Sequence, residues 1–124
     1  MKKNGAVIKM IEIIRGDTSL TYKFQRRNES GVIKTKPKKM WITFKEDCCY
    51  SDCLFQKTLE DGIEYDEDDN YYRFKFKPED TRDLKYGVYG FDIAIIDENG
   101  EKKTLLNSGE LKIVKHYTHK CNEV

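Results

Sequence analysis

Hydrophobic and polar residues alternate along most of this chain with a period of two, the spacing of a half-buried strand whose successive side chains point to opposite faces. The alternation is cleanest from Val88 to Ile96, where Tyr89, Phe91, Ile93 and Ile95 share one face and Val88, Gly90, Asp92, Ala94 and Ile96 the other. Between Tyr71 and Lys77, Tyr72, Phe74 and Phe76 alternate with Tyr71, Arg73 and Lys75. Met40, Ile42 and Phe44 alternate with Trp41, Thr43 and Lys45; Leu20, Tyr22 and Phe24 alternate with Thr21, Lys23 and Gln25. Each pattern predicts a strand with its large apolar set turned inward. Ile8 to Arg15 is apolar at both parities and predicts a strand without fixing its register. Leu54–Leu59, a brief piece at Ile63–Tyr65, and Lys102–Leu106 continued by Leu111–Val114 complete the set, with Gly109 expected to break or bulge the last.

Turn chemistry separates these runs at Gly16-Asp17, Asn28–Gly31, Glu60-Asp61-Gly62, the acidic Asp66–Asn70 and the Asn99-Gly100 hairpin. Lys34 to Lys39, with Pro37, reads as a basic, flexible connector. One segment is not strand-like. Pro78 sets φ for a first helical turn, and Glu79 and Asp80 place negative charge at its N-terminus. Gly87 then allows a sharp bend into the Val88 strand. A turn, then Gly-x-Tyr, then an alternating strand is the layout of an immunoglobulin-like corner, in which a tyrosine hydroxyl ties the strand to the loop before it. Asp80, Gly87 and Tyr89 form this corner, and the Tyr89 hydroxyl is expected to bond the backbone of Pro78–Leu84.

The expected fold is therefore all-β: an immunoglobulin-like antiparallel β-sandwich of seven or eight strands with one short helical turn near 78–84. It occupies residues 1–115 as a single domain, with 116–124 as a polar tail. Phe24, Phe44, Phe74, Tyr89, Phe91 and Ile93 are the expected core. The parity of Met40–Lys45 puts Trp41 on the outer face or under a loop, unlike the buried tryptophan of an antibody domain. The paired core cysteines of antibody domains are also missing; Phe24 and Phe91 stand nearest their places.

Composition narrows the function classes. Hydrophobic residues make up 38% of the chain and charged residues 36%, so the apolar residues suffice for one inner layer. The formal net charge of +1 provides no global field for nucleic acid or an anionic membrane, and neither is expected as a partner. No apolar run approaches the length of a membrane span, and the start is too broken for a secretory leader. The chain is read as soluble and made in a cytoplasm.

Candidate chemistry is sparse. Arg15-Gly16-Asp17 spells an adhesion tripeptide, but a turn between strands explains it. Asp66, Asp68 and Asn70 have the spacing that begins a calcium loop, yet Tyr71 stands where glycine is required and Lys77 where the bidentate glutamate belongs. A weak site completed by Asp61 or Glu64 is the residual metal reading. Cys48, Cys49 and Cys53 with His116, His119 and Cys121 supply soft ligands at spacings that match no zinc site, so reduced thiols and no bound metal are expected. The two histidines lie in the tail, and no phosphate loop or nucleophile elbow occurs, so no catalytic residue and no cofactor are assigned. Lys34, Lys36, Lys38 and Lys39 lack the interleaved aromatics of a nucleic-acid surface. Trp41, Tyr71, Arg73 and Tyr86 are the candidate contact residues, being of the types enriched in interface hot spots.

Several segments resemble one known group. Ile13-Ile14-Arg15-Gly16-Asp17-Thr18, Met40-Trp41-Ile42-Thr43-Phe44-Lys45, Phe55-Gln56-Lys57-Thr58 and Asp61-Gly62-Ile63 come in that order. Pro78-Glu79-Asp80-Thr81, Leu84, Gly87-Val88-Tyr89, Phe91-Asp92-Ile93, Thr104-Leu105-Leu106 and Gly109-Glu110-Leu111 follow. Together, over roughly Ile8 to Val114, they resemble the small immunoglobulin-like proteins of phages and prophages of Gram-positive bacteria, and are similar to the N-terminal domains of phage baseplate upper proteins. The resemblance implies a non-catalytic virion structural or adaptor protein of the tail or baseplate, assembled in the bacterial cytoplasm. Its partners would be other phage structural proteins and possibly copies of itself. The cysteine-rich loop and the histidine-bearing tail depart from that pattern, and no long fibre follows, so the chain is expected to act as a stand-alone module. The alternative is a ligand-binding module for a host-surface glycan, or for weak metal-assisted binding, that gathers two or three exposed rings into one concave patch.

Overall fold

The computed structural model describes residues 10–46 and 53–115. Ten strands and one helix follow in chain order: β1 (Met10–Ile14), β2 (Tyr22–Phe24), β3 (Arg27–Asn28), β4 (Gly31–Val32), β5 (Lys39–Lys45), β6 (Cys53–Thr58), β7 (Glu64–Asp66), β8 (Tyr71–Phe74), α1 (Pro78–Thr81), β9 (Gly87–Ile96) and β10 (Lys102–Val114). Five strands make one sheet in the order β1-β10-β9-β5-β6, and three make a second, β2-β8-β7. The two-residue strands β3 and β4 pair only with each other, around the predicted Asn28–Gly31 turn. The layers therefore hold eight strands, and the fold is an immunoglobulin-like β-sandwich with one short helix.

Register follows from the apolar parity. Phe44, Ile42 and Met40 of β5 sit opposite Phe91, Ile93 and Ile95 of β9, and all six are buried. A slip of β5 by one residue would turn Met40, Ile42 and Phe44 outward, so the burial itself selects this pairing. From the other sheet, Phe24, Tyr72 and Phe74 close the core, and Phe76, just beyond β8, packs edge-on against Phe44 at 5.3 Å. β10 runs unbroken through Gly109, with its register shifted on the way. A β-carbon at Gly109 would lie 2.5 Å from the Phe91 ring, so glycine is the residue that allows the ring to reach the sheet.

Three details differ from the sequence-based expectation. β1 pairs with β10 in parallel, setting Ile11 and Ile13 beside Leu111 and Ile113. Its apolar residues at both parities left the register open, and the intervening chain supplies the long crossover that a parallel pair needs. Leu20, expected inward, is 80% exposed. Regular strand begins only at Tyr22, and before it Ser19 has already turned to bond Phe76, its N–H donating to the carbonyl and its hydroxyl accepting the N–H. The Lys34–Lys39 connector is tied down: Pro37 is buried, Lys38 N–H bonds the Ile96 carbonyl, and the Tyr65 hydroxyl donates to the Lys34 carbonyl.

The corner forms as the residues predict, with one shift. Asp80 accepts the Lys77 N–H at 2.9 Å and so closes the start of α1. Gly87 sits at φ +147, where a side chain would be strained. The Tyr89 hydroxyl donates to the Lys85 carbonyl at 2.6 Å, one residue past the Pro78–Leu84 segment expected to receive it. Residues 116–124, expected as a tail, lie outside the described residues.

Candidate functional site

The best-organised polar surface is the outer face of the three-stranded sheet, where β8 carries Tyr71 and Arg73. Arg73 donates to Asp69 at 2.6 Å and reaches Asp66 at 3.4 Å. The Arg73 hydrogen bond, then the Tyr71 N–H, holds the Asp69 carboxyl below the usual carboxylate range, and Asp69 in turn raises Arg73. Lys23 of β2 places its ammonium 4.6 Å from the centre of the Tyr71 ring, a cation–π geometry. The acidic turn is thus folded around Arg73. Asp66 takes the Asp68 N–H on its side chain, and Asn70 adopts φ +61 to close the turn. No group of three His, Cys, Asp or Glu side chains among the described residues is arranged to hold an ion; within the Asp66–Asn70 segment, Asp66 and Asn70 serve the turn itself.

The other candidates lie elsewhere. Trp41 does not neighbour Tyr71, because β5 pairs with β9 and β6 in the opposite layer. Long-range pairing sets that order, which local alternation does not encode. Trp41 is half-buried on the outer face of the five-stranded sheet, in a hollow of about 370 Å³ shared with Thr43, Lys45, Gln56 and Asp92. Tyr86 is exposed just before β9, with the Arg15 guanidinium 4.3 Å over its ring. Ala94 pairs with Trp41, so Tyr86 is about 26 Å away along β9 at roughly 3.3 Å per residue. The three rings share no patch. Arg15-Gly16-Asp17 is held as a turn, its Gly16 N–H bonding the Thr81 hydroxyl at 2.9 Å.

A buried charged group went unassigned in the sequence. Lys57 of β6 is 5% exposed and lies against Phe55 and Phe76, with its ammonium 3.0 Å from Asp80. The Asp80 carboxylate therefore caps α1 and neutralises a lysine from an edge strand at once. Period-two parity from Phe55 already places Lys57 inward, and that was the available signal. An inward-pointing charge also discourages the edge strand from pairing with other chains. Arg26 is buried as well, donating to the Thr35 carbonyl at 3.3 Å near Glu98. Its Nε and the Tyr72 hydroxyl have no partner among the described residues.

Of the proposed soft ligands, only Cys53 is among the described residues; Cys48, Cys49, His116, His119 and Cys121 lie outside them. Cys53 is exposed and has no disulfide partner among the described residues, and partial burial of its sulfur raises the thiol above its ordinary range, which Lys45 opposes only in part. Such a thiol is not an activated nucleophile.

No family model matches the chain, and no curated protein matches it. Among solved structures, the chain is similar to CopC from Methylosinus trichosporium OB3b, with a TM-score of 0.52 and 11% sequence identity, over 92% of this chain and 96% of that one. At that identity the likeness is one of fold, and what the two chains share is a β-sandwich.

Proposed function

We propose that this protein is a non-catalytic phage or prophage virion component, an adaptor of the tail or baseplate that works through protein–protein contacts. One observation carries the contact reading: large apolar and aromatic side chains stand exposed at one end of the five-stranded sheet's outer face. Met10 is 63% exposed, Val88 56% and Tyr86 49%, beside half-buried Ile14 and Val114. Exposed apolar residues grouped in this way, with charged Glu12, Glu110 and Lys112 among them, are characteristic of a surface that docks another protein. The scattering of Trp41, Tyr71 and Tyr86 favours this reading over a glycan reader, which needs its rings together. The phage assignment rests on the whole-chain resemblance of turns, corner and core positions.

The test is mass spectrometry of particles induced from the host strain. This chain is expected among the proteins of intact virions. Its absence from them, with a gene outside any prophage, would sink the reading.

A further inference from the structure

We propose that the outer face of the three-stranded sheet binds a second copy of the same chain, with the acidic turn of each copy seated over the basic notch of the other. This goes beyond the apolar patch of the five-stranded sheet, since it is a second contact surface in the opposite layer. β7 covers only Tyr71–Arg73 of β8, so the chain beyond β8 borders an open notch of about 290 Å³. Thr21, Lys57, Glu64, Arg73, Lys75 and Lys77 line it. Lys57 is already neutralised by Asp80, and Arg73 by Asp69 and Asp66. Lys75 and Lys77 are exposed and have no carboxylate within 4 Å among the described residues.

The opposite end of the same face is negative. Glu67 and Asp68 stand exposed at the β7–β8 turn, without a cationic partner among the described residues. With Glu64, Asp66 and Arg73 they line a second hollow of about 520 Å³, so Glu64 and Arg73 border both hollows and the unpaired charges lie beyond them on either side. From Tyr71 to Lys75 is about 13 Å of strand at roughly 3.3 Å per residue, so one small face carries uncompensated charge of both signs at its two ends. A two-fold axis crossing the strands near Arg73 reverses the strand direction and lays each acidic turn over the partner's Lys75 and Lys77. Such a contact is self-complementary and closes as a dimer. It also puts Arg73 at its centre with Tyr71 to one side, both residue types enriched in hot spots.

Sedimentation of the full chain at low and high salt tests this. The wild type is expected to dimerise at low salt and to dissociate as salt rises, because the contact rests on exposed charges. K75E/K77E and, separately, E67K/D68K should each weaken the dimer at least about tenfold, since like charges then face each other. An equimolar mixture of the two should recover a heterodimer. All four positions are exposed, so both variants should keep the wild-type circular dichroism. A wild type monomeric at every concentration, variants that still dimerise, or a mixture that stays monomeric would each overturn the self-contact. None of those results bears on whether the chain is found in particles, so the two proposals fail separately.

Discussion

Two ion pairs in this molecule use the same chemistry in opposite settings. Arg73 and Asp69 meet at 2.6 Å on the surface, with side chains 27% and 39% exposed. Lys57 and Asp80 meet at 3.0 Å under the corner, at 6% and 15% exposed. By distance alone the surface pair is the stronger. Solvent reverses that order. Water and salt screen an exposed pair and compensate each partner when the other is removed, whereas a buried ion that loses its partner has nothing to replace it. The buried pair is thus a constraint on the fold, and the surface pair is free to serve a contact.

The largest expected effect tests the buried side of this contrast. Asp80→Ala leaves the Lys57 ammonium uncompensated between Phe55 and Phe76 and uncaps α1, and should cost about 3–5 kcal/mol in urea denaturation. Adding Lys57→Met should recover much of the loss, because an apolar side chain of similar length suits those rings. A cost below about 1 kcal/mol, within the range of surface pairs, would remove the distinction.

The corner next to this pair shows what a sequence can and cannot disclose. Tyr89, Phe91, Ile93 and Ile95 alternate so cleanly that the inner face of β9 can be read directly, and Gly87 before Tyr89 announces the corner. Lys57 was visible by parity as an inward residue, but its partner lies 23 positions away. Nothing local joins an edge strand to a helix cap. The separation of Trp41 from Tyr71 was hidden for the same reason: alternation assigns each strand a face, while the order β1-β10-β9-β5-β6 arises from pairings between distant segments. Leu20 misled because a parity valid from Tyr22 onward was carried past the strand's end.

An intermediate case calibrates the scale. The Tyr89 hydroxyl makes one neutral hydrogen bond, to the Lys85 carbonyl, from a side chain that is otherwise buried. Tyr89→Phe should keep the packing, lose that bond and cost roughly 1 kcal/mol by chemical denaturation. A neutral outcome would mean that the carbonyl finds water when the hydroxyl is gone, and that the corner is held by Gly87 and packing alone.

The smallest effect belongs to Asp69→Asn, and its dependence on salt and pH is more informative than its size. The variant should melt only slightly below the wild type at low salt, and the gap should close in molar salt. Asp69 titrates below its ordinary value in the fold, held down first by Arg73. A carboxyl depressed in this way binds fewer protons folded than unfolded, so its contribution is fully present above the unfolded value of about 3.9 and is lost as pH falls through the lower folded value. The gap between the two proteins should therefore exist at neutral pH and vanish in acid. The alkaline limb is the internal control. Burial pushes Tyr72 up to about 12, so above pH 10 or so the unfolded chain releases that proton first and stability falls as pH rises. Because the substitution leaves Tyr72 in place, that decline should be the same in both proteins. A gap that persisted in acid, or that matched the loss in Asp80→Ala, would show the Arg73 pair to be holding the fold and no longer available as the centre of a contact.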